Sequence, residues 1–223
     1  DNKDRWIVQL DAAEATIKLI DRQRDEAWIG GPGVGGYFMS AGEIGWIDAS
    51  TMYYQSEKTG YSHLYTYNIT TQKTTALTSG NFEVQQVKLS KDKQHFYISA
   101  NKEHPGEQHL YKLAIQGGQL QKLTTGVGAH DVTVSPNEEY FAIRYSNSNT
   151  PWELYLQPNS PGAVAKKLTS STTSEFNSYA WRAPVVTTIP ARDGQSIYTR
   201  VYKPAKSNGK AVIFVHGAGY LQN

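Results

Sequence analysis

Residues 63–80 read HLYTYNITTQKTTALTSG. The stretch returns twice, as HLYKLAIQGGQLQKLTTG from His109 and as ELYLQPNSPGAVAKKLTSS from Glu153. The Leu-Tyr pair stands at 64, 110 and 154, in steps of 46 and 44; the Leu-Thr that closes each stretch stands at 77, 123 and 168, in steps of 46 and 45. Two independent markers keep one period. Upstream of each Leu-Tyr lies a further pair of apolar arms around a polar turn: Gly45 to Ile47 and Thr51 to Tyr54 around Asp48-Ala49-Ser50; Val84 to Leu89 and His95 to Ala100 around Ser90 to Lys93; Val132 to Val134 and Tyr140 to Tyr145 around Ser135 to Glu138. The turns are made of residues that favour tight reversals.

Apolar residues in these segments alternate at a spacing of 2, the period of a half-buried strand, whereas a helical solenoid would need a spacing of 3.6. Four short strands in a repeat of about 40 to 50 residues is the signature of a propeller blade. Arg5 to Leu10 and Thr16 to Ile20 read as the outer two strands of another blade. The expectation is therefore an all-β chain holding about three and a half four-stranded blades, a partial β-propeller over residues 1–174. Propellers close with roughly four to eight blades. A half-ring exposes strand edges and an apolar flank, so association with the missing half of the propeller or with a second copy is expected.

Composition narrows the partners. Lys plus Arg number 22 against 20 Asp plus Glu, and the basic residues are dispersed, which leaves no electrostatic footprint for nucleic acid or a membrane surface. The densest cluster, Asp21 to Glu26, carries both signs and reads as a solvated hairpin tip. There is no cysteine, hence neither a disulfide framework nor a thiolate metal site. Apart from His216, the histidines, at 63, 95, 104, 109 and 130, show no metal-ligand spacing, and no cofactor or metal is expected. No apolar run approaches the ~20 residues of a membrane span. Asp1 to Asp4 opens no signal-peptide pattern, and a start without methionine fits a piece of a longer chain.

After Ser174 the period is lost. Phe176 to Trp181 reads as a linker, followed by PVVTTIPARDGQSIYTRVYKPAKSNGKAVIFVHG from Pro184: strand, Asp193-Gly194 turn, strand, a loop after Pro204, and an apolar strand at Ile213 to Val215 of the kind buried in a parallel sheet. Here the chain resembles the prolyl oligopeptidase family of serine peptidases, its dipeptidyl peptidase IV branch most closely. The residues that carry the resemblance are Ile189 to Gly194, Val201 to Pro204 and Val212 to Gly219, with Ser56 to Tyr65 (SEKTGYSHLY) on the propeller side.

That resemblance implies a propeller over residues 1–174 that gates peptide access to an α/β-hydrolase domain, whose linker and first strands are residues 175–223, truncated. The Ser-Asp-His triad of such hydrolases would follow this chain, so the fragment is expected to be inactive, with peptide as the substrate of the full-length protein and a periplasmic or secreted location. Ser62, in Gly60-Tyr61-Ser62-His63-Leu64, lacks the closing glycine of a nucleophile elbow and sits between strands of a blade. On the oxyanion side the candidates are His216 and Gly217, with Tyr220 beyond; the branch places a tyrosine hydroxyl where His216 stands. Gly30 to Gly36 (GGPGVGG) reads as a flexible connector between blades rather than a phosphate loop, since no Lys-Ser/Thr follows. Tyr37 and Phe38, next to it, are the candidates for peptide contact. Asn68-Ile69-Thr70 fits the glycosylation acceptor pattern. The alternative to a peptidase fragment is a non-catalytic propeller that binds protein partners.

Overall fold

The computed structural model describes residues 3–35 and 42–215. Alternation at a spacing of 2 becomes a series of antiparallel ladders. Strands β1 (Asp4–Asp11) and β2 (Thr16–Arg24) form a hairpin. Three four-stranded sheets come next, each with its strands side by side in chain order: β3 (Ile44–Trp46), β4 (Thr51–Ser56), β5 (His63–Asn68) and β6 (Lys73–Ala76); β7 (Val84–Leu89), β8 (His95–Ala100), β9 (His109–Ala114) and β10 (Gln121–Lys122); β11 (Ala129–Val134), β12 (Tyr140–Asn147), β13 (Thr150–Pro158) and β14 (Lys166–Lys167). None of these sheets closes on itself. A short helix, α1 (Ser174–Ser178), and the hairpin of β15 (Val185–Pro190) with β16 (Ser196–Val201) complete the described fold. The all-β reading holds for the sheets; α1 is an element that the sequence pattern does not announce. Among the described residues no helix is long and apolar enough to cross a membrane.

The sheets pack face to face because a strand sends successive side chains to opposite faces. From β8, Phe96, Ile98 and Ala100 join a core with Leu64 and Ile47 of the preceding sheet, while Tyr97 turns to the core with Phe141 and Ile143 of the following one. From β4, Met52 and Tyr54 pack with Ile7 of the β1–β2 hairpin, and Tyr53 meets Phe96 edge-on at 5.1 Å. The hairpin and the three sheets therefore stack in chain order, with three separate cores between them. Lys93 and Glu138 take positive φ, 55° and 59°, at equivalent places in the two Ser-x-Asp/Asn turns. There Ser90 Oγ donates to Asp92 and accepts from His95 N–H, and Ser135 Oγ does the same with Asn137 and Tyr140 N–H.

The Leu-Tyr and Leu-Thr markers turn out to be two halves of one contact. Thr78 Oγ1 accepts from Leu64 N–H at 2.9 Å and lies 3.0 Å from His63 Nδ1. Thr124 Oγ1 accepts from Leu110 N–H at 3.0 Å and lies 3.1 Å from His109 Nδ1. Thr169 Oγ1 accepts from Leu154 N–H at 2.9 Å and donates to the Glu153 carboxylate. His63 Nε2 faces the Gly80 carbonyl at 2.9 Å, which can only accept, so Nε2 carries the proton and Nδ1 presents a lone pair to the threonine. Ring nitrogen and carboxylate are thus the same part, an acceptor for the hydroxyl proton. Burial pushes the His63 pKa down, against the Gly80 carbonyl. The Thr169 hydroxyl, with Ser171 N–H, holds Glu153 down at about 2.

Two expectations need correction. The charged cluster Asp21 to Glu26 is not a hairpin tip: Asp21 to Arg24 belong to β2, where Arg22 and Arg24 pair with Asp4 at 2.7 and 2.6 Å, and the hairpin turns instead at Ala12 to Ala15. Arg22 and Arg24 extend from a strand because their alternate neighbours, Asp21 and Gln23, face inward. Val212 to Val215 make no ladder and are 98, 87, 85 and 81% exposed rather than buried in a sheet; among the described residues no strand lies alongside to cover them.

Thr124→Val keeps the shape of the side chain but leaves the buried Leu110 N–H without its acceptor, and should cost about 1–3 kcal/mol, read as a lower urea midpoint with unchanged slope. Because burial lowers the folded-state pKa of His63, its contribution is complete above the unfolded value near ~6.5 and is lost as pH falls through the folded value. The urea midpoint should therefore fall as pH drops below about 6.5, and His63→Gln, which keeps an acceptor and does not titrate, should lessen that fall, the remainder coming from His95 and His130, whose pKa values burial also lowers.

Candidate functional site

The connection from β2 to β3 carries the glycine-rich stretch, and its described stems are fastened to the first full sheet. Asp25 accepts from the N–H groups of Ala27 and Trp28 at 2.7 and 3.2 Å, Gly30 N–H donates to Glu57 at 3.2 Å, and Val34 is fully buried. The two stems touch: Glu43 N–H donates to the Gly33 carbonyl at 2.7 Å, and the Glu43 carbonyl accepts from Gln55 N–H at 3.2 Å. A side chain at Gly33 would place Cβ 1.9 Å from Gln55 Oε1 on a backbone with φ +63°. This glycine is required by close approach, which corrects the reading of Gly30 to Gly36 as a merely flexible connector.

Gln55 is the hub. It lies near the end of β4 with its side chain fully buried, and Nε2 donates to the carbonyls of Val84 (2.7 Å) and Pro32 (3.3 Å) and to Ser62 Oγ (3.1 Å). Ser62 Oγ donates to the Pro32 carbonyl at 2.6 Å, and Ser62 N–H to Glu83 at 2.6 Å. Arg5 Nη1 donates to the Gln55 carbonyl at 2.8 Å, tying the β1–β2 hairpin to the same point. Burial raises the pKa of Glu83, offset by the Ser62 N–H, and burial also raises that of Glu43. Burial lowers that of Arg5, against the carboxylates of Asp21 and Glu57. The cluster is a hydrogen-bonding frame that fixes backbone.

Ser62 is not built as a nucleophile. Its hydroxyl is fully buried and spent on Pro32, while the neighbouring His63 ring is held by Thr78 and Gly80. His216, Gly217 and Tyr220, and likewise Tyr37 and Phe38, lie outside the described residues. Asn68 is engaged: its Oδ1 caps the N–H groups of Thr70 and Thr71 and its Nδ2 reaches Thr51 Oγ1 at 3.2 Å. Gln55, Glu83 and Arg5 do not stand out in the sequence, where each is one polar residue in a strand or at its edge. The one available signal was Ser56 to Tyr65, which borders the hub.

Among known proteins, a family model described as "Dipeptidyl peptidase IV (DPP IV) N-terminal region" matches residues 1–152. "Probable dipeptidyl-aminopeptidase B" of Arthroderma otae is 31% identical over 102 residues, 44% of this chain and 11% of that protein. "Dipeptidyl peptidase 4" of Trichophyton equinum is 27% identical over 172 residues, 74% of this chain and 21% of that protein. The crystal structure of Porphyromonas gingivalis dipeptidyl peptidase 4 superposes with a TM-score of 0.66 at 21% identity, over 91% of this chain and 28% of that one, a likeness of fold. The chain thus spans 11 to 28% of the length of these proteins.

Gly33→Ala and Gly162→Ala both place a side chain at positive φ, but nothing lies within 4 Å of the second. Gly33→Ala should be the more destabilising by about 1–3 kcal/mol, the range for overpacking a filled site, in a side-by-side thermal or urea melt.

Proposed function

This chain belongs to the dipeptidyl peptidase IV N-terminal-region family, and from that premise we propose that it is a section of the propeller of a DPP IV-like serine peptidase, followed by the opening segment of the peptidase domain. The supporting observation is the family match over residues 1–152 on a stack of repeated four-stranded sheets. In this reading residues 1–174 are propeller and 175–223 are linker and first hydrolase strands. The propeller gates peptides to a Ser-Asp-His site supplied by chain beyond this one. His216, Gly217 and Tyr220 are the candidates for the oxyanion side, where preorganised donors would stabilise charge in acyl transfer, and Tyr37 and Phe38 are the candidates for contact with the peptide.

The two ends of the stack support a larger assembly. The outer face of the β1–β2 hairpin exposes Trp6, Leu10 and Ile17 at 54, 64 and 70%, and the far face of the last four-stranded sheet exposes Trp152 and Leu156. These are the residue types that the internal sheets bury against one another, and contiguous apolar faces of this kind mark interaction surfaces. On each face an arginine lies over a tryptophan and pairs with an aspartate: Arg22 with Trp6 and Asp4, Arg144 with Trp152 and Asp131. Further sheets of the same class would cover both.

A fluorogenic Xaa-Pro amide should be left intact by this chain and cleaved by a longer form of the protein that carries a Gly-x-Ser-x-Gly segment with its Asp and His. Turnover by the 223-residue chain alone would overturn the reading, and a longer form that binds partners without any peptidase activity would favour a binding propeller instead. In light scattering the chain should self-associate; a stable, dilute monomer counts against the covered faces.

A further inference from the structure

The chain leaves its last four-stranded sheet through α1 and an aromatic knot. Thr173 caps the helix by accepting from Phe176 N–H at 3.1 Å; Trp181 Nε1 donates to the Phe176 carbonyl at 2.8 Å and its ring packs on Phe176 at 4.8 Å and on Tyr179 at 5.6 Å. The knot is held by contacts within itself, and its residues are largely exposed, so it does not by itself fix where the chain goes next. The β15–β16 hairpin beyond it has apolar side chains exposed on both faces.

The turn between β12 and β13 reaches this exit. With its amide oriented to satisfy both ends, Asn149 donates from Nδ2 to the carbonyls of Arg182 (3.2 Å) and Ser148 (3.0 Å), and its Oδ1 accepts from Ala183 N–H at 3.1 Å. Ala183 precedes Pro184, and a residue before proline is held extended, which presents that N–H to a neighbour. The turn itself is braced from behind. Asn149 N–H donates to Asn147 Oδ1 at 3.0 Å, Asn147 Nδ2 donates to the Tyr145 hydroxyl at 3.1 Å, and that hydroxyl donates to the Val127 carbonyl at 2.7 Å. The Tyr145 ring packs at 4.7 Å on His130, which is 3% exposed between the carbonyls of Gln108 and Thr125 in the seam between the last two sheets.

We infer that Asn149 is a positioning residue that latches the Arg182–Ala183 segment to the last four-stranded sheet and thereby sets the path on which the chain leaves the stack. An asparagine suits the place because it offers a donor and an acceptor on one rigid plane, the complement of a backbone peptide. Its footing is a hydrogen-bonded series ending in a buried seam, so the latch is carried by the sheet and not by the exposed knot. The inference concerns the described chain and stands whether or not the full protein is a peptidase.

Amide hydrogen exchange of the complete 223-residue chain tests it. In Asn149→Ala the Ala183 amide should exchange at least about tenfold faster than in the unsubstituted chain, while the Leu154 amide, bonded within the sheet, stays unchanged. Asn149→Asp retains the acceptor and loses the donor, and should keep most of the Ala183 protection. An Ala183 rate unaltered in Asn149→Ala overturns the latch. Faster exchange at Leu154 as well as Ala183 also overturns it, since the side chain would then be supporting the sheet rather than the exit.

Discussion

A threonine hydroxyl that accepts one backbone N–H and gives its own proton to a buried acceptor is the contact on which the three sheets depend. The N–H groups of Leu64, Leu110 and Leu154 sit on the third strand of each sheet at a point where the fourth strand does not pair. At Leu64 and Leu110 an unpaired N–H would be buried at a cost comparable to the bond itself. Threonine solves this from the start of the next connection, at the same time orienting a histidine or a glutamate whose remaining polar atoms are held by Gly80, Glu107 or Ser171. Because the hydroxyl both receives and donates, fourth strand and third strand are fixed by a single side chain. The leucine on each side then falls into the core by alternation alone.

From that registration the stacking follows. Once β5 and β9 are fixed in their sheets, Leu64 and Tyr111 are on the faces that meet, and Tyr65 and Leu110 are on the faces that turn away to the neighbours on either side. A slip of one residue would exchange the two sets. The polar hub at Gln55 works at another level. It does not register strands within a sheet; it joins the hairpin, the glycine-rich connection and two sheets through one amide and one carbonyl.

How much of this could be read beforehand depended on repetition. The strand pairs, their turns and the Asp193-Gly194 reversal were legible because each is a local pattern, and three copies of the Leu-Tyr and Leu-Thr pairs revealed the unit even before its contact was known. The role of the threonine was not legible, since His63 and Thr78 are separated by a full hairpin and neither residue type announces the other as its partner. Gln55 and Asn149 were invisible for a related reason: each acts on main-chain groups distant in sequence, and a main-chain group leaves no residue type to recognise. The charge cluster at Asp21 to Glu26 was misplaced because mixed charge suggests a turn, whereas in β2 alternation sends Arg22 and Arg24 outward and Asp21 inward to Lys58 at 3.7 Å. Val212 to Val215 have the composition of an interior strand, which only says what such a strand would need around it. The positions proposed for peptide contact and for the oxyanion side fall outside the described residues, and the frame around Gln55 is what the structure adds near the first of them.

The third unit differs from the first two in a way that separates what the architecture requires from what it merely contains. Its threonine follows Leu154 by 15 residues instead of 14, glutamate stands in place of histidine, and the added residue is absorbed in the outer connection between β13 and β14. Chain length in that connection and the chemical nature of the acceptor are therefore free to drift, provided the hydroxyl arrives at the leucine amide. Such a fold can be diversified by accretion: new surface can be grafted onto its perimeter, one connection at a time, while the interior geometry is inherited intact.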